Sequence, residues 1–176
     1  MTLFYLSSVH RVVLSSIVLA VGCASGPSVV DVGPPEPRVL SEAQALLVIE
    51  STLDEASVAH GREIPLDLGE GPRLLADLHL GRPTFAIEWV SSDDRRVHGS
   101  ALPQGVENGP LRIVTARDGD GNPVQALVLD QNAYVFEGNP RRVQRGAPGM
   151  VEAEERLRRD VIDYTQYVRS QGALEP

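Results

Sequence analysis

Leu74-Leu75-Ala76-Asp77-Leu78-His79-Leu80 carries an apolar side chain at Leu74, Ala76, Leu78 and Leu80, and Phe85, Ile87 and Trp89 alternate in the same way after Gly81-Arg82-Pro83. Successive side chains on a strand point to opposite faces, so each stretch shows one oily face and one polar face. A hairpin of this kind cannot stand alone in water. It predicts a sheet whose apolar side is covered by helices.

Two helical patterns supply that cover. Ser41 is a good N-cap with Gln44 three residues on, and Leu46, Ile49, Leu53 and Ala56 recur at helical spacing up to Gly61, taken as the stop. The second helix is expected from about 149 to 171, with Val151, Leu157, Val161, Tyr164 and Val168 on one face and Glu152, Glu155, Arg156, Arg159 and Asp163 on the wet one. Between them, Ser92-Asp93-Asp94 followed by Arg95-Arg96 and Gly99 predicts a short helix with acids first and cations last. Three further strands are expected at Leu111–Ala116, Val124–Asp130 and Ala133–Gly138, joined as an antiparallel meander. The expected fold class is α+β: an antiparallel sheet of about five strands with an N-terminal and a C-terminal helix packed on it.

The first 26 residues follow different rules. Arg11 precedes an apolar run from Val12 to Val21 that is about 15 Å long as a helix, half of a bilayer core. Such a run is a signal-peptide core, not a membrane span. It ends in Leu19-Ala20-Val21-Gly22-Cys23, and Cys23 is the chain's single cysteine, so it has no internal disulfide partner. This stretch resembles the lipobox of bacterial lipoproteins, with Ala20 at the position where leucine is commonest. The resemblance covers the first 23 residues and implies cleavage between Gly22 and Cys23 with lipid, including palmitate, on Cys23. Ala24 stands where aspartate would retain a lipoprotein in the inner membrane, which implies an outer-membrane address.

Residues 24–38 hold four prolines and show no amphipathic period, and they read as an extended tether. At about 3.1 Å per residue it reaches roughly 45 Å. The expected organisation is thus a signal peptide over 1–22, a lipidated cysteine and tether over 23–39, and one α+β domain over 40–172.

Charge narrows the partners. The chain has 16 basic residues, all arginine, against 24 acidic ones. Removing residues 1–22 takes Arg11 and no acid, so the 16 become 15 and the net charge goes from −8 to −9. An acidic body opposes phosphate backbones and anionic headgroups, which argues against nucleic acid and leaves the acyl chains as the membrane hold.

Chemistry-bearing groups are sparse. Asp118, Asp120 and Asn122 stand at i, i+2 and i+4, the opening of a calcium loop. Position 6 of that loop is Pro123 and position 12 is Leu129, where glycine and glutamate belong, and the flanks are strands. The stretch therefore reads as a hairpin turn, with Gly119, Gly121 and Asn122 suited to positive φ; the three ligand-type residues remain weak metal candidates. His60 is expected to end the first helix, and His60, His79 and His98 lack zinc-site spacing. Asp77, His79 and Glu88 can meet across the first hairpin as an acid–base cluster, or form an exposed polar face. Arg141, Arg142 and Arg145 are the basic cluster, in a Gly/Pro loop.

No catalytic set or cofactor motif is assembled by the sequence. The leading expectation is a non-enzymatic envelope lipoprotein that binds a protein partner or assists envelope assembly. The order of elements over 41–171 also resembles PAS and Cache sensor domains, which implies a ligand held near Trp89 and Tyr134. An envelope hydrolase is the third reading.

Overall fold

A computed structural model describes residues 36–69, 73–81, 84–105, 109–138 and 148–174. The order is β1 (Glu36–Val39), α1 (Glu42–Glu55), β2 (His60–Leu66), β3 (Leu74–Leu80), β4 (Phe85–Val90), α2 (Ser92–His98), β5 (Ile113–Arg117), β6 (Pro123–Asp130), β7 (Val135–Gly138) and α3 (Pro148–Ser170). Single turns of 3₁₀ helix follow α2 and precede β7. The fold is α+β, and its main sheet is mostly antiparallel with five strands in the order β2-β3-β4-β6-β5. Cys23, Gly22, the tether up to residue 35 and Arg141, Arg142 and Arg145 lie outside the described residues.

The expected five strands are corrected in two places. His60–Leu66 is a strand of the main sheet, paired with β3 from His60↔Leu80 to Leu66↔Leu74. The expected last strand leaves the sheet: β7 pairs with β1 in a separate two-stranded ribbon, Val39↔Val135 to Glu36↔Gly138. β1 is formed by the last residues of the segment read as tether. The centre is also not a meander, because β4 and β6 run parallel, from Phe85↔Gln125 to Val90↔Asp130. α2 and β5 lie between them in the chain, which gives room for the crossover that parallel neighbours need.

The boundary of α1 explains the missed strand. Ser41 and Gln44 form the expected capping box. At the other end the helix stops at Glu55, and Ser57 takes a φ of +53°. Val58 N–H donates to Leu53 O and Ser57 N–H donates to Asp54 O, the paired bonds that close a helix end. Val58 and Leu53 are both buried, so an apolar contact fastens this stop. A serine stands where glycine is usual, and Gly61 is freed to lie in β2. His60 accordingly does not end the helix: it begins β2, with Nδ1 3.1 Å from Val58 O.

The sheet is curled. Asp67 N–H donates to Arg117 O at 2.7 Å and Arg117 N–H donates to Asp67 O at 2.9 Å, so the far ends of the edge strands β2 and β5 meet. The concave side is filled by Ile64, Leu66, Leu74, Ala76, Ala86, Val90, Leu102, Ala116, Val124, Ala126 and Val128. Four of these are alanines, as a tight radius requires. The convex side carries the larger side chains, Ile87, Trp89, Leu127 and Leu129, against Ile49 and Leu53 of α1 and Leu157, Val161, Tyr164 and Val168 of α3. Val151, expected on the buried face of α3, is 40% exposed, while Met150 and Ala153 are buried in its stead. Among the described residues no helix is long and apolar enough to cross a membrane.

Strict alternation along β3 predicts one face for Leu74, Ala76, Leu78 and Leu80. The curl divides them. Leu74 and Ala76 belong to the concave core, whereas Leu78 and Leu80 belong to the core beneath the helices. The change of side falls at Asp77. Opposite it on β2 stands Glu63, with a φ of +53° that strands rarely contain. The sheet folds over along this line.

Candidate functional site

The fold-over at Asp77 costs the β3–β4 ladder its regular hydrogen bonds. Only Leu78↔Ile87 and His79↔Ala86 are registered pairs between these strands. Two carboxyl side chains take over beyond them. Trp89 N–H donates to Asp77 Oδ2 at 2.8 Å, and Asp77 N–H donates to Glu88 Oε2 at 3.3 Å. Buried backbone donors must find an acceptor, and here the acceptors are side chains.

Neither acid lies on an exposed polar face. Glu88 is 2% exposed, because β4 is buried along its whole length, and Asp77 is half-buried. Burial is the largest influence on both and raises both pKa values. The Asp77 carboxyl is pushed up to about 6, by burial first and also by the charges of Glu42 and Asp94; the Trp89 amide and a hydrogen bond with Glu88 oppose the rise. Glu88 is pushed up to about 9, by burial and then by the Asp77 charge, with Asp94 and Glu42 adding to it. Both carboxyls thus hold a proton more readily than an ordinary carboxylate, Glu88 more strongly than Asp77.

A cleft of about 260 Å³ lies over the pair, lined by Glu42 and Leu46 of α1, Arg62 and Glu63 of β2, Leu75 of β3 and Asp94 of α2. The guanidinium of Arg62 is directed to Glu50 at 2.6 Å. It lines the cleft without being tied to Asp77 or Glu88. A wider cleft of about 1270 Å³ near the start of β4 includes Ser57, Thr84, Phe85, Gln125 and Arg169. The Arg169 guanidinium there donates to Ala56 O, and the perturbed carboxyls are in the smaller cleft.

Of the anticipated trio, Asp77 and Glu88 meet, and His79 makes no hydrogen bond to either. The His79 ring lies across Gly61, where an added Cβ would sit 2.3 Å from Nε2. Gly61 is needed for this close approach. His98 ends α2 with Nδ1 buried and without a hydrogen-bond partner.

Asp118, Asp120 and Asn122 form the hairpin turn between β5 and β6. The Asp118 carboxylate accepts from the Asp120 and Asn122 amides at 2.9 and 2.8 Å and from Asn122 Nδ2 at 3.0 Å. These bonds, led by that from the Asn122 side chain, hold its pKa below the usual range. Of the residues suited to positive φ only Gly121 uses it, at +85°. Both Asp118 oxygens are directed into the turn.

A second buried acid escaped the sequence reading. Asp130, 3% exposed, accepts from Arg95, from Gly105 N–H at 3.1 Å and from Asn132 N–H at 3.0 Å. Arg95 also donates to Leu102 O and Pro103 O, so one guanidinium fastens the segment after α2 to the end of β6. The position of Asp130 at a strand end beside Gln131-Asn132 was a signal for a side-chain cap. Nothing local pointed to Arg95.

Trp89 and Tyr134, near which the sensor resemblance places a ligand, pack on each other with ring centroids 5.3 Å apart and are 1% and 3% exposed. Comparison with protein-family models, curated proteins and solved structures returned no match.

Proposed function

We propose that the chain is an outer-membrane-anchored bacterial lipoprotein whose α+β body is a small non-enzymatic domain that binds an envelope protein or helps assemble the envelope. The observation that carries the reading is Leu19-Ala20-Val21-Gly22-Cys23 at the end of an apolar run too short to span a bilayer. The proline-rich stretch behind it suits a leash, and a body at −9 suits a basic partner surface over an anionic one.

Growth on labelled palmitate tests the anchor. The expected result is a labelled, membrane-associated product, with Cys23→Ser unlabelled and released. An unlabelled product that still carries residues 1–22 would overturn the reading. The partner is sought by co-purification of the acylated protein, with Cys23→Ser as the unlocalised control and salt-sensitive capture expected.

The hydrolase alternative rests on the Asp77–Glu88 pair, since carboxyls with raised pKa values beside a cleft are suited to proton transfer. Turnover of cell-wall or lipid material that is lost in Asp77→Asn would replace the binding reading. The sensing alternative needs a ligand near Trp89 and Tyr134; the two rings pack on each other, and Trp89 also lines the smaller cleft.

A further inference from the structure

We propose that Asp77 and Glu88 form a proton-operated latch on the β3–β4 seam: the seam is closed over Trp89 while one proton sits between the two carboxyls, and it opens when that proton is lost.

The geometry carries this inference. Next to the two registered pairs of the seam, the amides of Asp77 and Trp89 depend on carboxyl oxygens for their hydrogen bonds. The pair therefore acts as a piece of the ladder. With one proton present, Glu88 donates its O–H to the Asp77 carboxylate, the Asp77 carboxylate accepts from Trp89 N–H, and the remaining Glu88 oxygen accepts from Asp77 N–H. All three bonds are satisfied at once.

Removing the proton to solvent hydroxide leaves two adjacent carboxylates, one of them 2% exposed. Like charges at this spacing and burial are strongly unfavourable. The surroundings do not relieve them. α1 presents Glu42, β2 presents Glu63 and α2 presents Asp94, while Arg62, the cation in the cleft, is engaged by Glu50. The route that remains is for Glu88 to swing to water, which strips the Asp77 amide of its acceptor and parts the strands beside Trp89. The carboxyl values given above place this loss in the alkaline range, near pH 9.

Trp89 is the chain's only tryptophan, so its emission reports on this seam alone. The experiment uses the full chain in detergent micelles, with emission maximum and acrylamide quenching followed from pH 6 to 10 and far-UV circular dichroism alongside. The expected result is a red shift and a severalfold rise in quenching with a midpoint near 9, at unchanged helix and strand content. Glu88→Gln keeps both faces of the hydrogen-bond set without an ionisable proton, and its emission stays blue and unquenched throughout. Asp77→Asn removes the neighbouring charge and moves the midpoint at least one pH unit towards acid, which keeps the test decisive if Glu88→Gln does not fold. A flat wild-type profile, an equal transition in Glu88→Gln, an unmoved midpoint in Asp77→Asn, or a transition that coincides with loss of the dichroism signal would each overturn the latch.

Discussion

Two carboxyl groups are almost completely buried at neighbouring places in the sheet, and the chain accommodates them by opposite means. Asp130, at the end of β6, faces a guanidinium that also fastens two carbonyls of the loop after α2. Glu88, two residues before the β4 position that pairs with Asp130, faces another acid. In the first case opposite charge compensates for lost water. In the second no cation takes part, and the proton itself has to remain. Burial of a carboxyl thus leads either to an ion pair or to an acid that holds its proton, and which one follows is set by the nearest partner.

The largest test of the contrast is Arg95→Ala. It leaves Asp130 buried without its cation and frees two carbonyls, and a loss of about 3–5 kcal/mol in urea denaturation is expected.

Glu88→Gln should act in the opposite direction. Both acids of the pair have folded-state values above their ordinary 3.8 and 4.5, so the folded protein holds more protons than the unfolded one as pH rises through this range. Stability therefore falls from about pH 4 through about 6 on account of Asp77, continues to fall to about 9 on account of Glu88, and levels off above. At ~1.4 kcal/mol per unit, a neutral glutamine recovers on the order of a few kcal/mol at pH 9 and almost nothing at pH 4. Denaturation midpoints across that range check both the sign and the slope.

Asp130→Asn removes the charge and keeps an oxygen for only one of the two amides, since Gly105 N–H donates to Oδ2 and Asn132 N–H to Oδ1. Its cost should be about 1–3 kcal/mol in urea denaturation. Combining Glu88→Gln with Asp130→Asn completes the set: the two groups have separate partners, and their effects should add to within about 0.5 kcal/mol. A larger coupling would mean that the pair and the ion pair act as a single network.

Much of the scaffold around these acids was legible from local pattern. The capping box at Ser41/Gln44 opened α1 and the acids-first, cations-last run from Ser92 formed α2 where the sequence placed them, and the turn at Asp118 closed β5 onto β6. β2 was not legible, because Gly61 and Pro65 break its alternation and Ser57 ends α1 in glycine's usual role. The β1–β7 ribbon joins segments about a hundred residues apart, a pairing no local pattern encodes. The encounter of Asp77 with Glu88 could be read from strand spacing. Their burial could not, since it depends on the sheet folding over between Ala76 and Leu78. Pairing in sequence reveals which groups can touch; only the curvature of the sheet decides whether water reaches them.

That curvature also bears on how the molecule behaves in company. An open sheet offers the unpaired amides and carbonyls of its outermost strands to any passing chain, and such borders seed aggregation. Here the two borders are stitched together at Asp67 and Arg117, the β2 border has no amide at Pro65, and its line is bent at Glu63. Little straight, hydrogen-bond-hungry backbone is left on that side for a neighbour to copy. A rim that refuses to zip with its twin keeps neighbouring molecules separate.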